Sequence, residues 1–197
     1  MKNNFNKYKE KIVNIYSDGA CSGNQNKENI GGYGAILEYG KAVKEIKEGF
    51  VNTTNNRMEI SAVLNAFRCL KRHNLNVNVF SDSSYVVRCF REKWYRNWQR
   101  NGWMNSAKKP VENKDLWEKL ICEIENNNVT FFLVKGHISI DHPNTDIDKH
   151  FQKFVSDNGD EFSRERFIEI VRMNNRADEL ANEAMNEVRQ RGASKKV

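Results

Sequence analysis

From Ile12 to Ser17 apolar and polar positions alternate, with Ile12, Asn14 and Tyr16 set against Val13, Ile15 and Ser17, and a period of two marks a strand. "GGYGAILEYG" and "KAVKEIKEGF" supply two further strands separated by a turn at Gly40, so three consecutive antiparallel strands are expected. The spacing then changes. From Asn55 to about His73, Met58, Ala62, Ala66 and Leu70 recur at helical intervals, and Ile60, Val63, Leu64 and Phe67 widen the stripe toward a buried helix. "NVNVFSD" returns to a strand pattern. "SYVVRCF", "YRNWQR" and "KDLWEKLICEI" read as short helices, "VTFFLVKG" as a fifth strand and "NRADELANEAMNEV" as a closing helix, ahead of a basic, frayed tail at 189–197.

A strand, helix, strand order requires a right-handed crossover, which lays the fourth strand parallel to the first. The expected fold class is α/β: a five-stranded mixed sheet, three antiparallel strands then two parallel, flanked by helices. In that arrangement Asp18 and Asp82 end neighbouring strands and emerge at the same carboxyl edge, where open α/β sheets hold their ligands. Glu59 falls near the start of the first crossover helix and Asp178 near the start of the last. Singly, each acid has an ordinary explanation as a turn residue, a cap or a solvated helix charge. Jointly they repel one another, and four carboxylates aimed at one spot are stable at neutral pH only with cations among them. Hard divalent ions such as Mg²⁺ suit all-oxygen ligands.

Bulk properties narrow the class of protein. At 197 residues and 39% hydrophobic the chain buries one sizeable core, so a single domain over 1–197 is expected. The net charge of +6 favours an anionic partner, nucleic acid above all. Cys21, Cys69, Cys89 and Cys122 are scattered without CxxC pairing, which argues against a zinc site and against a secreted disulfide framework. "MKNNFNKYKEKIVN" has no apolar h-region and no window reaches membrane-spanning length, so a cytoplasmic protein without membrane attachment is expected.

Eight segments in order, "YSDGACSGN", "GGYGAIL", "TTNNRMEI", "VFSDSSYV", "NWQRNGW", "KKPVENKDLW", "VKGH" and "NRADELA", resemble ribonuclease H type 1, close to its bacterial form. The resemblance runs over a core of residues 11–188. It implies a ribonuclease H-like fold and hydrolysis of the RNA strand of an RNA/DNA hybrid. It also implies two Mg²⁺ ions, with Mn²⁺ as substitute, held by Asp18, Glu59, Asp82 and Asp178, and products with 5′-phosphate and 3′-hydroxyl ends. The family's mobile histidine, which assists protonation or product release, maps to His137 in "VKGH", with His142 in "DHP" as the competing candidate. The chain is expected to act alone, as a monomer.

Telling RNA from DNA requires sensing 2′-hydroxyls in a shallow minor groove. By the resemblance, Cys21, Asn24, Asn55 and Asn56 line that groove, assisted by the main chain near Gly19 and Met58. A glutamine usual in the family is Ser84 here, which leaves one base contact in doubt. Thr54 matches a residue that binds a DNA phosphate, and it also suits a helix cap. Trp94, Trp98, Arg100, Trp103, Lys108 and Lys109 fall in the family's basic protrusion, together with Arg91, Lys93 and Arg96, although tryptophans four apart on a helix ordinarily pack in a core.

The chain departs from compact members of the family by about thirty residues between His137 and Asp178, from roughly Asn144 to Val171. Ile147, Phe151, Phe154 and Val155, then Phe167, Ile170 and Val171 after an N-cap Ser163, predict an inserted αα-hairpin. It is read as a surface hairpin packed on itself and the last helix; the sharper alternative is a lid or substrate contact. Two other classes are open to the whole chain. A catalytically silent binding module would show a substituted acid, and a resolvase or integrase of the same broad fold would lack "TTNNRME" and the tryptophan-bearing protrusion.

Overall fold

The computed structural model describes residues 12–23 and 29–194. Strands β1 (Ile12–Ser22), β2 (Ile30–Tyr39) and β3 (Ala42–Val51) precede α1 (Asn55–Arg68), β4 (Asn76–Ser81) and α2 (Ser84–Arg91). Helices α3 (Trp94–Arg100) and α4 (Lys114–Glu125), strand β5 (Asn128–Leu133), and helices α5 (Ile147–Asn158) and α6 (Arg164–Ser194) complete the order. The strands form one sheet in the order β3-β2-β1-β4-β5. β1 pairs antiparallel with β2, as β2 does with β3, whereas β1 with β4 and β4 with β5 are parallel. This is the mixed sheet that the alternation and the crossover rule require. None of the described helices is long and apolar enough to cross a membrane.

Alternation along the strands gives the sheet two faces with separate cores. On one, Val13, Ile15, Val77, Val79 and Phe131 meet Ile60, Val63, Leu64 and Phe67 of α1, Val86 and Val87 of α2, and Trp117 and Leu120 of α4. On the other, Tyr16, Phe80 and Phe132 lie in register on three neighbouring strands. Their rings stack at 5.2 and 5.1 Å, and Phe162 stands edge-on to Phe80 and Phe132. Phe154 of α5 and Phe167, Ile170 and Val171 of α6 close over that aromatic ladder.

Five local expectations are revised. β1 does not leave the sheet at Asp18 but runs on to Ser22 along β2; only its parallel pairing with β4 stops, at Ser17–Ser81. α1 ends at Arg68, short of His73, where the Cys69 and Leu70 N–H groups turn to the Ala66 and Phe67 carbonyls and tighten the last turn. The second arm of the inserted hairpin is not separate. No glycine or proline stands between Arg164 and Arg191, so that arm and the closing helix run on as one helix of 31 residues, with Asp178 near its middle. α5 and the first half of α6 therefore pack on the sheet as well as on each other, and form one wall of the core rather than a surface hairpin. The helix also continues through Ser194, so the segment from 189 to 194 is helical rather than frayed.

Candidate active site

The end of the parallel register positions the first two acids. Asp18 and Asp82 each follow the last β1–β4 pair by one residue, so their carboxyls leave neighbouring strands at the same edge. Gly19 sets the distance to α1: a Cβ there would collide with the backbone nitrogen of Glu59. With nothing between strand and helix, Glu59, in the second turn of α1, reaches the same edge. The helix starts where it does because Thr54 Oγ1 accepts from the Arg57 N–H at 3.3 Å. Gly136 plays the matching part on the other side, since a Cβ there would meet Asp82 Oδ2. Asp178 faces in from α6, where Asn182, four residues on, donates from Nδ2 to its Oδ1 at 2.8 Å. His137, at φ 56°, brings Nδ1 to 3.4 Å from Asp178 Oδ2.

The electrostatics are those of uncompensated negative charge. Asp18 is only 7% exposed, and burial, followed by repulsion from Asp82, Asp178 and Glu59, pushes its carboxyl up to about 8 against one bond from the Gly19 N–H at 2.7 Å. Burial likewise raises Asp82, with Asp178 repelling it and with backbone, His137 and Asp18 contacts opposing. Both shifts favour the protonated acid, with burial the largest cause of each. Glu59 is raised chiefly by burial; Ser83 and Asn55 oppose, the latter donating Nδ2 to Oε1 at 2.8 Å. Among the described residues no three His, Cys, Asp or Glu side chains close around one point as a finished metal cage. Glu59 is turned to the Ser83 hydroxyl and Asn55, and Asp178 to Asn182. What the cluster offers is a buried all-oxygen donor set with excess negative charge, which fits a hard divalent cation.

The other predicted residues divide. Cys21 is half-buried with Sγ 3.5 Å from the Thr53 carbonyl oxygen, and Thr54, Asn55 and Asn56 are exposed at the start of α1. The Met58 side chain is buried against Tyr33 and Ala62, and its main chain and Cβ lie beside Gly19. Asn24 lies outside the described residues. Ser84 is exposed at the head of α2 and shares a cleft with Asp82 and His137. His142 is a turn residue whose Nδ1 accepts from the Asn144 N–H at 3.3 Å, so of the two histidines it is His137 that adjoins the acids.

In the protrusion, Trp98 is buried 5.6 Å from the core Trp117, while Trp94 and Trp103 are half-buried around it. Trp94, Trp98 and Arg100 line, with Asn56, an open groove of about 800 Å³ that joins the start of α1 to the protrusion. Lys108 and Lys109 stand exposed on the loop closed by the Met104–Pro110 bridge. Sequence reasoning missed Ser83, which caps α2 and bonds Glu59, as well as Asn182, Gly136, and Asn175, which donates Nδ2 to the Ile138 carbonyl at 2.8 Å and steadies the His137 loop. Only Asn182 had a local signal, its spacing of four from Asp178.

Comparison with known proteins places the chain in a family. Residues 10–155 match the family model for RNase H, a span that includes Asp18, Glu59, Asp82 and His137 and stops short of Asp178. A ribonuclease H of Clostridium botulinum is 42% identical over 177 residues, covering 90% of this chain and 97% of that one. One from Chlorobium luteolum is 51% identical over 128 residues, covering 65% and 85%. Among solved structures, LC9-RNase H1, described as a type 1 RNase H with the type 2 active-site motif, superposes with a TM-score of 0.65 at 24% identity, covering 89% of this chain and 72% of that one. LC11-RNase H1 in complex with RNA/DNA hybrid gives 0.52 at 20% identity, covering 89% and 98%. The two structures speak to the fold; the family model and the close relatives speak to descent, and by them the chain belongs to the ribonuclease H family.

Proposed function

We propose that this protein is an endoribonuclease that hydrolyses the RNA strand of RNA/DNA hybrids, leaving 5′-phosphate and 3′-hydroxyl ends. The observation that carries this reading is the meeting of Asp18, Asp82 and Asp178, with Glu59 beside them, at the carboxyl end of the parallel strands. The resolved likeness to a hybrid-bound RNase H1 and the basic net charge of +6 agree with an RNA/DNA duplex as partner.

Asp18, Glu59, Asp82 and Asp178 would hold two Mg²⁺ ions, with Mn²⁺ as substitute. Such a pair supplies a water of lowered pKa as nucleophile and stabilises the departing 3′ oxygen of an in-line displacement. The chain's own residues prepare the rest. Burial and the neighbouring carboxylates favour a protonated Asp18, and a bound cation would oppose them and favour the ionised form. Asn182 keeps Asp178 aimed at the site, and Ser83 and Asn55 hold Glu59 in reserve. His137, exposed on its loop and next to Asp178, is placed to protonate the leaving oxygen or help product depart. Cys21, Asn24, Asn55 and Asn56, with the main chain of Gly19 and Met58, would read the minor groove, and Ser84 stands where a base contact is weaker. Thr54 and the α1 N-terminus would take a DNA phosphate. Trp94, Trp98, Arg100, Trp103, Lys108 and Lys109 would carry the DNA strand along the protrusion. The described thiols, all unpaired, are in keeping with a reducing cytoplasm, and the enzyme is taken to work as a monomer.

The test is a labelled hybrid, duplex DNA and duplex RNA of one sequence, each incubated with Mg²⁺ and with chelator. Only the hybrid with Mg²⁺ should be cut, and Asp18→Asn should lower the rate by at least about 10³-fold while hybrid binding persists. Near-normal turnover by Asp18→Asn would end the assignment.

A further inference from the structure

The segment between His137 and Asp178 builds a surface beside the acids as well as a wall of the core. α5 is seated on the sheet by Phe154, 5.2 Å from Phe167 and 5.6 Å from Phe162. Its last residue is pinned to β5: Asn158 Oδ1 accepts from the Leu133 N–H at 2.8 Å, and Nδ2 donates to the Leu133 carbonyl at 2.9 Å. The helix therefore presents a fixed face, on which His150 and Lys153 lie three residues apart. Both open into a cleft of about 400 Å³ whose other wall is Asp82, Ser84, Lys135 and His137. Lys135 and Lys153 are exposed. A polyanion threaded past the acids thus leaves a wall of carboxylates and passes between two ammonium groups and an imidazole.

We infer that Lys135, His150 and Lys153 form a subsite for a backbone phosphate of the RNA strand next to the one that is cut, an extension resting on the hydrolase reading above. Lys153 already pairs with Asp157 at 2.6 Å, and Asp157 also lines the cleft. That pair is an exposed i,i+4 contact of a kind that contributes little, so a phosphate displaces the carboxylate readily. The recognition is by charge and N–H donors and is blind to base sequence. It puts a binding function on the segment between His137 and Asp178.

The experiment uses the full chain and a hybrid of thirty base pairs. His150→Gln/Lys153→Gln should raise KM about tenfold, with kcat the less affected, and should flatten the slope of log KM against log salt by about 1. Lys135→Gln, at an exposed loop position, should act in the same direction, and Lys153→Arg, which keeps the charge, should leave KM at the parent's value. A neutral methylphosphonate, moved one linkage at a time along the RNA strand, should weaken the parent at one position near the cut and leave the double variant indifferent there. An unchanged KM and salt slope, or interference from the DNA strand instead, would overturn the subsite while cleavage by the parent stands. Failure of the parent to cut any hybrid would fell the hydrolase reading beneath it.

Discussion

Tyr16 and Asp18 lie two residues apart on β1 and point to the same face of the sheet, yet they live in opposite electrostatic worlds. Around Tyr16 every charge has an answer. Its hydroxyl donates to Glu38 Oε2 at 2.8 Å, Arg166 donates to the same oxygen at 2.8 Å and to the tyrosine oxygen at 2.6 Å, and Asn14 adds a bond to Glu38 at 3.0 Å. Burial pushes the Glu38 carboxyl up, but these donors win and hold it below the usual carboxylate range. Around Asp18, burial and repulsion push the same way, and no arginine or lysine figures among the leading influences. One end of the strand is neutralised from within the chain; the other is not, and under the function proposed above it would be neutralised by cations. The first arrangement serves the fold and the second serves chemistry.

The difference has its largest consequence in how stability depends on pH. Asp18 is raised from 3.8 to about 8, so the folded state holds its proton more tightly than the unfolded chain. That contribution is full below about pH 4 and is lost as pH rises through about 8, for a swing of up to about 5 kcal/mol in chelated protein. Glu38, being lowered, has the opposite sign: its contribution is present above its ordinary value of 4.5 and is lost as pH falls below it. Urea midpoints in chelator should fall between pH 5 and pH 8, and Mg²⁺ or Asp18→Asn should remove that fall. A flat profile in chelator would mean that the two ends of the strand do not differ.

Next in size is the neutralised end. Arg166→Met leaves a partly buried Glu38 unpaired and should cost about 3 kcal/mol in urea denaturation, with most of it returned by adding Glu38→Gln. A loss under about 0.5 kcal/mol would make this pair no more than a surface contact. The smallest effect belongs to the loop beside the acids: His137→Ala should slow turnover about tenfold, equivalent to about 1.4 kcal/mol, without altering metal-induced stabilisation. An unchanged rate would leave Asp178 with a neighbour of no kinetic weight.

What could be read in the chain was what repeats locally. The strands of Val13–Ile15 and Val77–Val79, the stripe of α1 and the common edge of Asp18 and Asp82 all follow from periods of 2 and 3.6 plus one crossover rule. Glu59 and Asp178 joined them through helix position and family resemblance. The contacts that escaped span long stretches of sequence. Arg166 reaches Glu38 across 128 residues, and Ser83 meets Glu59 across 24, with no periodic signature at either end. The boundary expected between the arm after Ser163 and the closing helix was misplaced for a different reason: a polar run, "RMNNRADE", looks like a loop by composition yet contains nothing that breaks a helix.

β5 is the outermost strand on its side of the sheet, and such a border ordinarily offers free hydrogen-bonding groups to any passing strand. Here Arg91 Nε occupies the Phe131 carbonyl at 2.8 Å and the Asn158 carboxamide occupies both groups of Leu133. Two side chains thereby stand in for a sixth strand. A chain dense in asparagine and aromatic residues is protected at that margin from stacking against its own copies, and the tool for cutting nucleic acid stays dispersed enough to find it.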